Sequence, residues 1–348
     1  MPVLRDLDGL AAAGLVPGGV TPALRAVADR YAIAITPAMA ELIDPADPDD
    51  PITRQFVPTE AEGVQLPQEQ PDPIGDTSHS PVPGIVHRYP DRVLLKLLHA
   101  CPVYCRFCFR REMVGPGGDA LSGEALATAL AYIRQHPAIW EVILTGGDPL
   151  MLSPRRLAEV IAALGEIDHL GLVRLHTRVP VVEPERVSDA LVAALRGAKA
   201  TWLLLHTNHP RELTSAAAAA IGRLVDGGIP VLSQSVLLRG VNDTPETLSS
   251  LMRRLVELRV KPHYLHQGDL APGTAQFRVP IAEGQALVAG LRGHLSGLCQ
   301  PTYLLDLPGG HGKVPLAAAA VQPDGDGWLA TDWQGGVHRY RDNTPATA

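Results

Sequence analysis

Three of the four cysteines in this 348-residue chain fall within eight positions, in the segment Cys101-Pro-Val-Tyr-Cys105-Arg-Phe-Cys108. Spacing that tight is a poor disulfide framework for a chain of this length and a good metal framework. The segment follows an apolar run, 93–98, so the thiols occupy the loop that leaves a buried strand. Thiolates are the ligands of iron-sulfur clusters. Three of them on a four-iron cluster leave one iron open to a chelating ligand. A tetrahedral zinc site would need a fourth ligand, supplied by His99 or Cys299; three buried free thiols are the remaining alternative.

From Arg92 onward, short apolar runs alternate with helix-like stretches: 93–98 then 126–134, 141–145 then 154–164, 172–176 then 184–196. The series continues with 201–206 and 212–226, 230–238 and 244–260, and 263–267 and 281–295. Six such strand-helix units predict an α/β fold, a partial (β/α)6 barrel, with its functional groups at the C-terminal ends of the strands. Residues 1–85, rich in Pro, Asp and Ala with helical patches at 22–31 and 37–43, read as an N-terminal helical arm and connector, and 86–300 as the barrel. Residues 301–348 read as a small C-terminal segment: a strand at 302–306, a glycine-rich loop at 308–312 and an antiparallel hairpin within 321–340. The 30 Lys and Arg against 37 Asp and Glu give a net charge of −7, which argues against a broad phosphate-binding surface, so nucleic acid is not expected. No stretch approaches the roughly 18 apolar residues of a spanning helix. Arg5, Asp6 and Asp8 interrupt the start, so the expected location is the cytoplasm.

Two further motifs carry chemistry. Leu144-Thr-Gly146-Gly147-Asp148-Pro149 ends the second strand, where glycines let backbone groups approach a ligand closely. In Asp306-Leu-Pro-Gly309-Gly310-His311-Gly312-Lys313 a lysine stands on a glycine-rich turn, free to swing and held by backbone rather than bulk. That setting suits covalent anchoring of pyridoxal phosphate.

With Phe107 just before the last cysteine, the cysteine segment resembles the radical S-adenosylmethionine superfamily. From about residue 89 to 315 the chain resembles its lysine 2,3-aminomutase family, which also carries pyridoxal phosphate. The resemblance implies an isomerase, an aminomutase that moves the amino group of L-lysine from C2 to C3 to give β-lysine. It implies a [4Fe-4S] cluster on Cys101, Cys105 and Cys108, and S-adenosylmethionine bound near Gly146, Gly147, Asp148, His206 and Gln234. It assigns Lys313 to pyridoxal phosphate, with Arg92 on the phosphate and Arg88 and Tyr89 in the same segment. Arg110 is assigned to the substrate carboxylate, and Asp269 and Asp306 to the side-chain ammonium. A pocket with arginine at one end and two carboxylates at the other suits a long cationic amino acid, whereas glutamate would need a cation or an amide there. Asp306 also suits a capping role in its Asp-Leu-Pro-Gly turn.

The chain departs from the free-lysine branch in places. That branch often carries a structural zinc on extra cysteines, one of them just after the Val-Asn-Asp turn, but Thr244 follows Asp243 and no cysteine lies beyond Cys299. No zinc is therefore expected. The Cys108-Phe-Arg-Arg wording is closer to the branch that isomerises a lysine on elongation factor P, a branch that usually lacks the Asp-x-Pro-Gly-Gly loop; His311 replaces a glycine common in that loop. An aminomutase on free lysine, a protein-lysine aminomutase and, in another class, an iron-sulfur electron-transfer protein are thus the competing readings. The resemblance also implies an electron donor such as flavodoxin or ferredoxin and a homo-oligomer.

Overall fold

The computed structural model describes residues 2–115, 120–317, 319–325 and 327–341. A single sheet runs in chain order through β1 (Ile85–Tyr89), β2 (Arg92–Leu98), β3 (Glu141–Gly146), β4 (Leu172–Thr177), β5 (Ala200–His206), β6 (Val231–Val236), β7 (Lys261–His266), β8 (Thr302–Leu307) and β9 (Gly312–Pro315). The pairs from β2 to β8 are all parallel. Antiparallel β1 and β9 close the two edges without pairing to each other. This is the expected partial barrel of six strand-helix units, continued by β8 as a seventh parallel strand.

Local sequence explains the units. In the helix Pro154–Gly165, Ser153 caps the first turn, Pro154 occupies a position that needs no N–H, and Leu157, Val160, Ile161 and Leu164 form the buried stripe. Thr244 caps the helix Pro245–Glu257 by accepting from the Thr247 N–H, which gives the residue after the Val-Asn-Asp turn a structural task. Along β4, Val173 and Leu175 are buried while Arg174 and His176 line the barrel interior, the period of two that strand geometry imposes.

The N-terminal arm is built into the barrel. Leu4 bridges Ile35, and one apolar core joins Leu4, Leu10, Ile35 and Phe56 to barrel residues such as Leu95, Leu144 and Leu205. The arm also grips the cysteine loop: the Tyr104 N–H donates to the Ala34 carbonyl at 3.1 Å and the Arg106 N–H to that of Gln55 at 2.8 Å. The tail forms a three-stranded antiparallel sheet, β10 (Val321–Asp324), β11 (Gly327–Thr331) and β12 (Val337–Tyr340), in place of the expected hairpin. The last seven positions of the expected C-terminal segment, 342–348, lie outside the described residues. Among the described residues no helix is long and apolar enough to cross a membrane.

Candidate active site

A cavity of about 470 Å³ runs through the barrel interior, a size typical of small-molecule sites. Every site residue named from the sequence lines it: the three cysteines, Gly146, Gly147, Asp148, His206, Gln234, Arg88, Tyr89, Arg92, Arg110, Asp269, Asp306 and Lys313. It is deeper than a site confined to the strands' C-terminal ends. Arg92 and Glu141 open β2 and β3, so charged side chains also line the opposite end of the barrel.

At the cysteine end, Cys101, Cys105 and Cys108 are free thiols on one wall, with a second cavity of about 50 Å³ beneath their loop. Burial raises all three thiols. Cys101 also feels Asp148 and lies well above its ordinary value, and Cys108, next to Cys105, reaches about 11. Cys105 differs because the Arg178 guanidinium opposes burial; its Nη1 donates to Cys105 Sγ at 2.8 Å. Among the described residues no trio of His, Cys, Asp or Glu converges on a single-ion site. Three crowded thiols sharing a cavity, one with a charge-assisted donor, fit a larger iron-sulfur group.

The glycines at the end of β3 pack closely against neighbouring backbone. A Cβ on Gly147 would collide with the Ala100 backbone, and one on Gly146, at φ +117°, with the Leu98 carbonyl. The Gly147 N–H donates to Leu98 O at 2.6 Å and the Asp148 N–H to Ala100 O at 3.0 Å. The close approach is thus to the cysteine loop. The Asp148 carboxylate is taken up by Thr177 Oγ1 and the Arg178 N–H, both at 2.7 Å, with the Leu150 N–H at 3.0 Å. That side chain organises the turn after β4. His206 stacks on Phe107 with ring centroids 5.8 Å apart and is held neutral by burial; Gln234 Nε2 lies 3.4 Å from His176 Nδ1.

At the lysine end, Lys313 opens no free hinge. It stands in β9 opposite Asp306, and its ammonium pairs with that carboxylate, which Arg88 also reaches at 3.3 Å. The Lys313 N–H donates to the Tyr89 hydroxyl at 2.8 Å, and Arg92 stacks on the Tyr89 ring at 3.8 Å. The loop before it is clamped by the connector: the Gly309 N–H donates to Pro73 O at 3.3 Å, and a Cβ on Gly310 would strike the His79 ring. Asp269 is pushed up to about 7 by burial and by the neighbouring Asp306. Arg110 pairs with Asp76 at 2.9 Å. Lysine, phosphate-competent arginines and a tyrosine hydroxyl on one wall fit pyridoxal phosphate.

Sequence reasoning missed several lining residues. Arg174 pairs with Glu141 at 2.9 Å. His266 is held down to about 3 by burial and by Lys313. His176 Nε2 is buried with no hydrogen-bond partner among the described residues, as an atom kept for a bound group would be. Arg178, buried over Phe56 and Phe107, also donates from Nη2 to Gln55 and Glu212 at 2.7 Å. Inward positions on period-two strands were the available signal for Arg174 and His176; Arg178, beyond the strand, left none.

The profile of the Radical SAM superfamily matches residues 95–252. The chain is 45% identical over 284 residues to L-lysine 2,3-aminomutase of Clostridium subterminale, covering 82% of this chain and 68% of that one. Identity is 43% over 288 residues to the enzyme of the same name from Acetoanaerobium sticklandii, 83% and 70% of the two chains. Glutamate 2,3-aminomutase of Clostridioides difficile is 34% identical over 320 residues, 92% and 76% of the two chains.

Proposed function

The chain belongs to the lysine 2,3-aminomutase family of radical SAM isomerases, and from that premise we propose that it moves the amino group of free L-lysine from C2 to C3. The observation that carries the reading is one cavity lined by both the cysteine trio and Lys313. Cys101, Cys105 and Cys108 would hold the cluster, with Arg178 donating to Cys105. The wall of Gly146, Gly147, His206 and Gln234 would face S-adenosylmethionine, and Lys313 with Arg88, Tyr89 and Arg92 would hold pyridoxal phosphate. When bound, these groups supply the reducing electron, a hydrogen-abstracting radical and a conjugated carrier for the migrating nitrogen.

The protein's share is binding, orientation and exclusion of water. Arg110 takes the α-carboxylate. Asp269 and Asp306 take the side-chain ammonium, and the Asp306–Lys313 pair supports this because a lysine ammonium already occupies that carboxylate within the fold. The same two acids disfavour the glutamate side chain. The neutral imidazoles of His176, His206 and His266 keep the middle of the cavity polar without adding charge. The barrel wall, apolar outward and polar inward, shields a reactive centre from water.

Anaerobic reconstitution with iron, sulfide, pyridoxal phosphate, S-adenosylmethionine and a flavodoxin- or ferredoxin-type reductant tests the proposal. β-Lysine formed from L-lysine with no added protein is the expected result. Inactivity on free lysine with turnover of a lysine on elongation factor P would overturn it.

A further inference from the structure

Five side chains form an alternating chain of charge beside the cavity. Arg110 reaches Asp76 Oδ2 through Nε and Nη2, both at 2.9 Å. Asp76 Oδ1 accepts from Arg88 Nη2 at 3.0 Å, Arg88 Nη1 reaches Asp306 Oδ1 at 3.3 Å, and Asp306 Oδ2 pairs with Lys313 Nζ. Four of the five line the cavity. The fifth, Asp76, lies behind them with its side chain 1% exposed, and it has no role in the scheme above.

Asp76 is fixed by its own segment. Its N–H donates to Asp72 Oδ1 at 2.8 Å, and its carbonyl accepts from Ser80 Oγ at 2.8 Å. The same segment clamps the lysine loop, through Pro73 on Gly309 and His79 against Gly310. One stretch of connector therefore holds both Arg110 and the strand that carries Lys313.

A guanidinium has two edges able to dock a carboxylate in bidentate fashion, Nε with Nη2 and Nη1 with Nη2. Asp76 occupies the first. We infer that Asp76 is a positioning residue for amino-acid recognition: it holds Arg110 by one edge so that the other meets the α-carboxylate of the substrate, at a distance from Lys313 set by the connector. It also separates Arg110 from Arg88, two cations that would otherwise face each other in a partly desolvated site. Arg88 in turn is shared with Asp306, so the carboxylate end and the lysine end are braced by one set of ion pairs. The inference rests on the assignment of Arg110 to the substrate carboxylate made above.

The test compares two ligands by calorimetry on the cofactor-loaded enzyme: L-lysine, which has the α-carboxylate, and 1,5-diaminopentane, which lacks it. Asp76→Asn should weaken L-lysine by about tenfold or more, the scale of a lost charge-assisted contact, while the diamine's affinity stays within about twofold. If Asp76→Asn does not accumulate as folded protein, Asp76→Glu, which keeps the charge but displaces it, carries the same comparison, with lysine weakened and the diamine not. Equal weakening of both ligands, or unchanged lysine binding, would overturn the inference while leaving the proposed function standing. Wild-type enzyme that binds the diamine as tightly as lysine would remove the carboxylate assignment of Arg110, and the inference with it.

Discussion

Asp269 is buried beside Asp306, and both effects favour its protonated form, so its carboxyl titrates near 7. Because the folded value lies above that of an unfolded aspartate, any stability from this group is present at low pH and fades as pH rises through about 7. Binding an ammonium runs the other way, since it needs the anion. The KM for lysine should therefore rise as pH falls through about 7, by up to about tenfold per unit. Asp269→Asn should weaken lysine at high pH and flatten that limb; a limb that survives in the variant would show another group to be responsible. Lys313→Ala should leave the cluster's absorption intact and abolish covalent retention of pyridoxal phosphate, read by borohydride reduction and mass spectrometry. Arg178 acts on the other cofactor. Hydrogen bonds to cluster sulfurs help set the potential, and Nη1 donates to Cys105 while Nη2 serves Gln55 and Glu212. A lysine keeps the charge but lacks the fork, so Arg178→Lys should shift the cluster's midpoint potential negative in an EPR-monitored titration. An unchanged or more positive potential would contradict the role.

At the scale of elements, the end of β3 and the cysteine loop behave as one unit. Gly147 is the joint, with its N–H on Leu98 O at 2.6 Å and no room for a Cβ against Ala100. The obstruction is backbone, which cannot rotate aside as a side chain can. Gly147→Ala should displace the loop and lose most of its iron on reconstitution while the barrel's circular dichroism persists; full iron content would refute the packing argument. The same joint shows what the sequence made legible. Strand-helix alternation is periodic, so the barrel and its order of units were readable, and the cysteine trio and the lysine loop are short local motifs. The reasons behind the glycines were not readable, because Gly147 meets Ala100 and Gly310 meets His79 only once distant segments are folded together. Arg178 and Cys105 stand 73 positions apart, and Asp76 reaches Arg88 from an irregular connector. Contacts made by barrel closure leave no periodic trace. The sequence reads this stretch as a connector, and its buried Asp76 makes it part of the site's framework as well.

Across the whole molecule, the arm and the cysteine loop are joined through a buried carboxylate. Glu62, from the arm, takes Arg106 Nη2 at 2.6 Å and Nε at 3.0 Å, and also pairs with Arg111; all three side chains are almost fully buried. Arg106 lies between two of the cysteines in sequence and also donates to Ala32 O at 2.8 Å, while Arg111 stacks on Tyr31 at 3.6 Å. These contacts therefore tie two stretches of arm, around Tyr31 and Ala32 and at Glu62, to the loop that would carry the cluster. Replacing Glu62 by Gln keeps the shape but leaves two buried guanidinium groups facing one neutral acceptor, a loss of about 3–5 kcal/mol by analogy with other broken buried pairs. Two consequences should appear together if the arm is a structural wall of the site. The apparent Tm should fall by several degrees, and the reconstituted cluster should bleach faster under a chelator, because the loop bearing Cys105 and Cys108 has lost its outer brace. A lower Tm with unchanged bleaching would mean that the arm stabilises the barrel without guarding the cluster. A Tm within about 1 °C of wild type would mean that the buried ion pairs contribute little net stability here, as replaced buried pairs sometimes do.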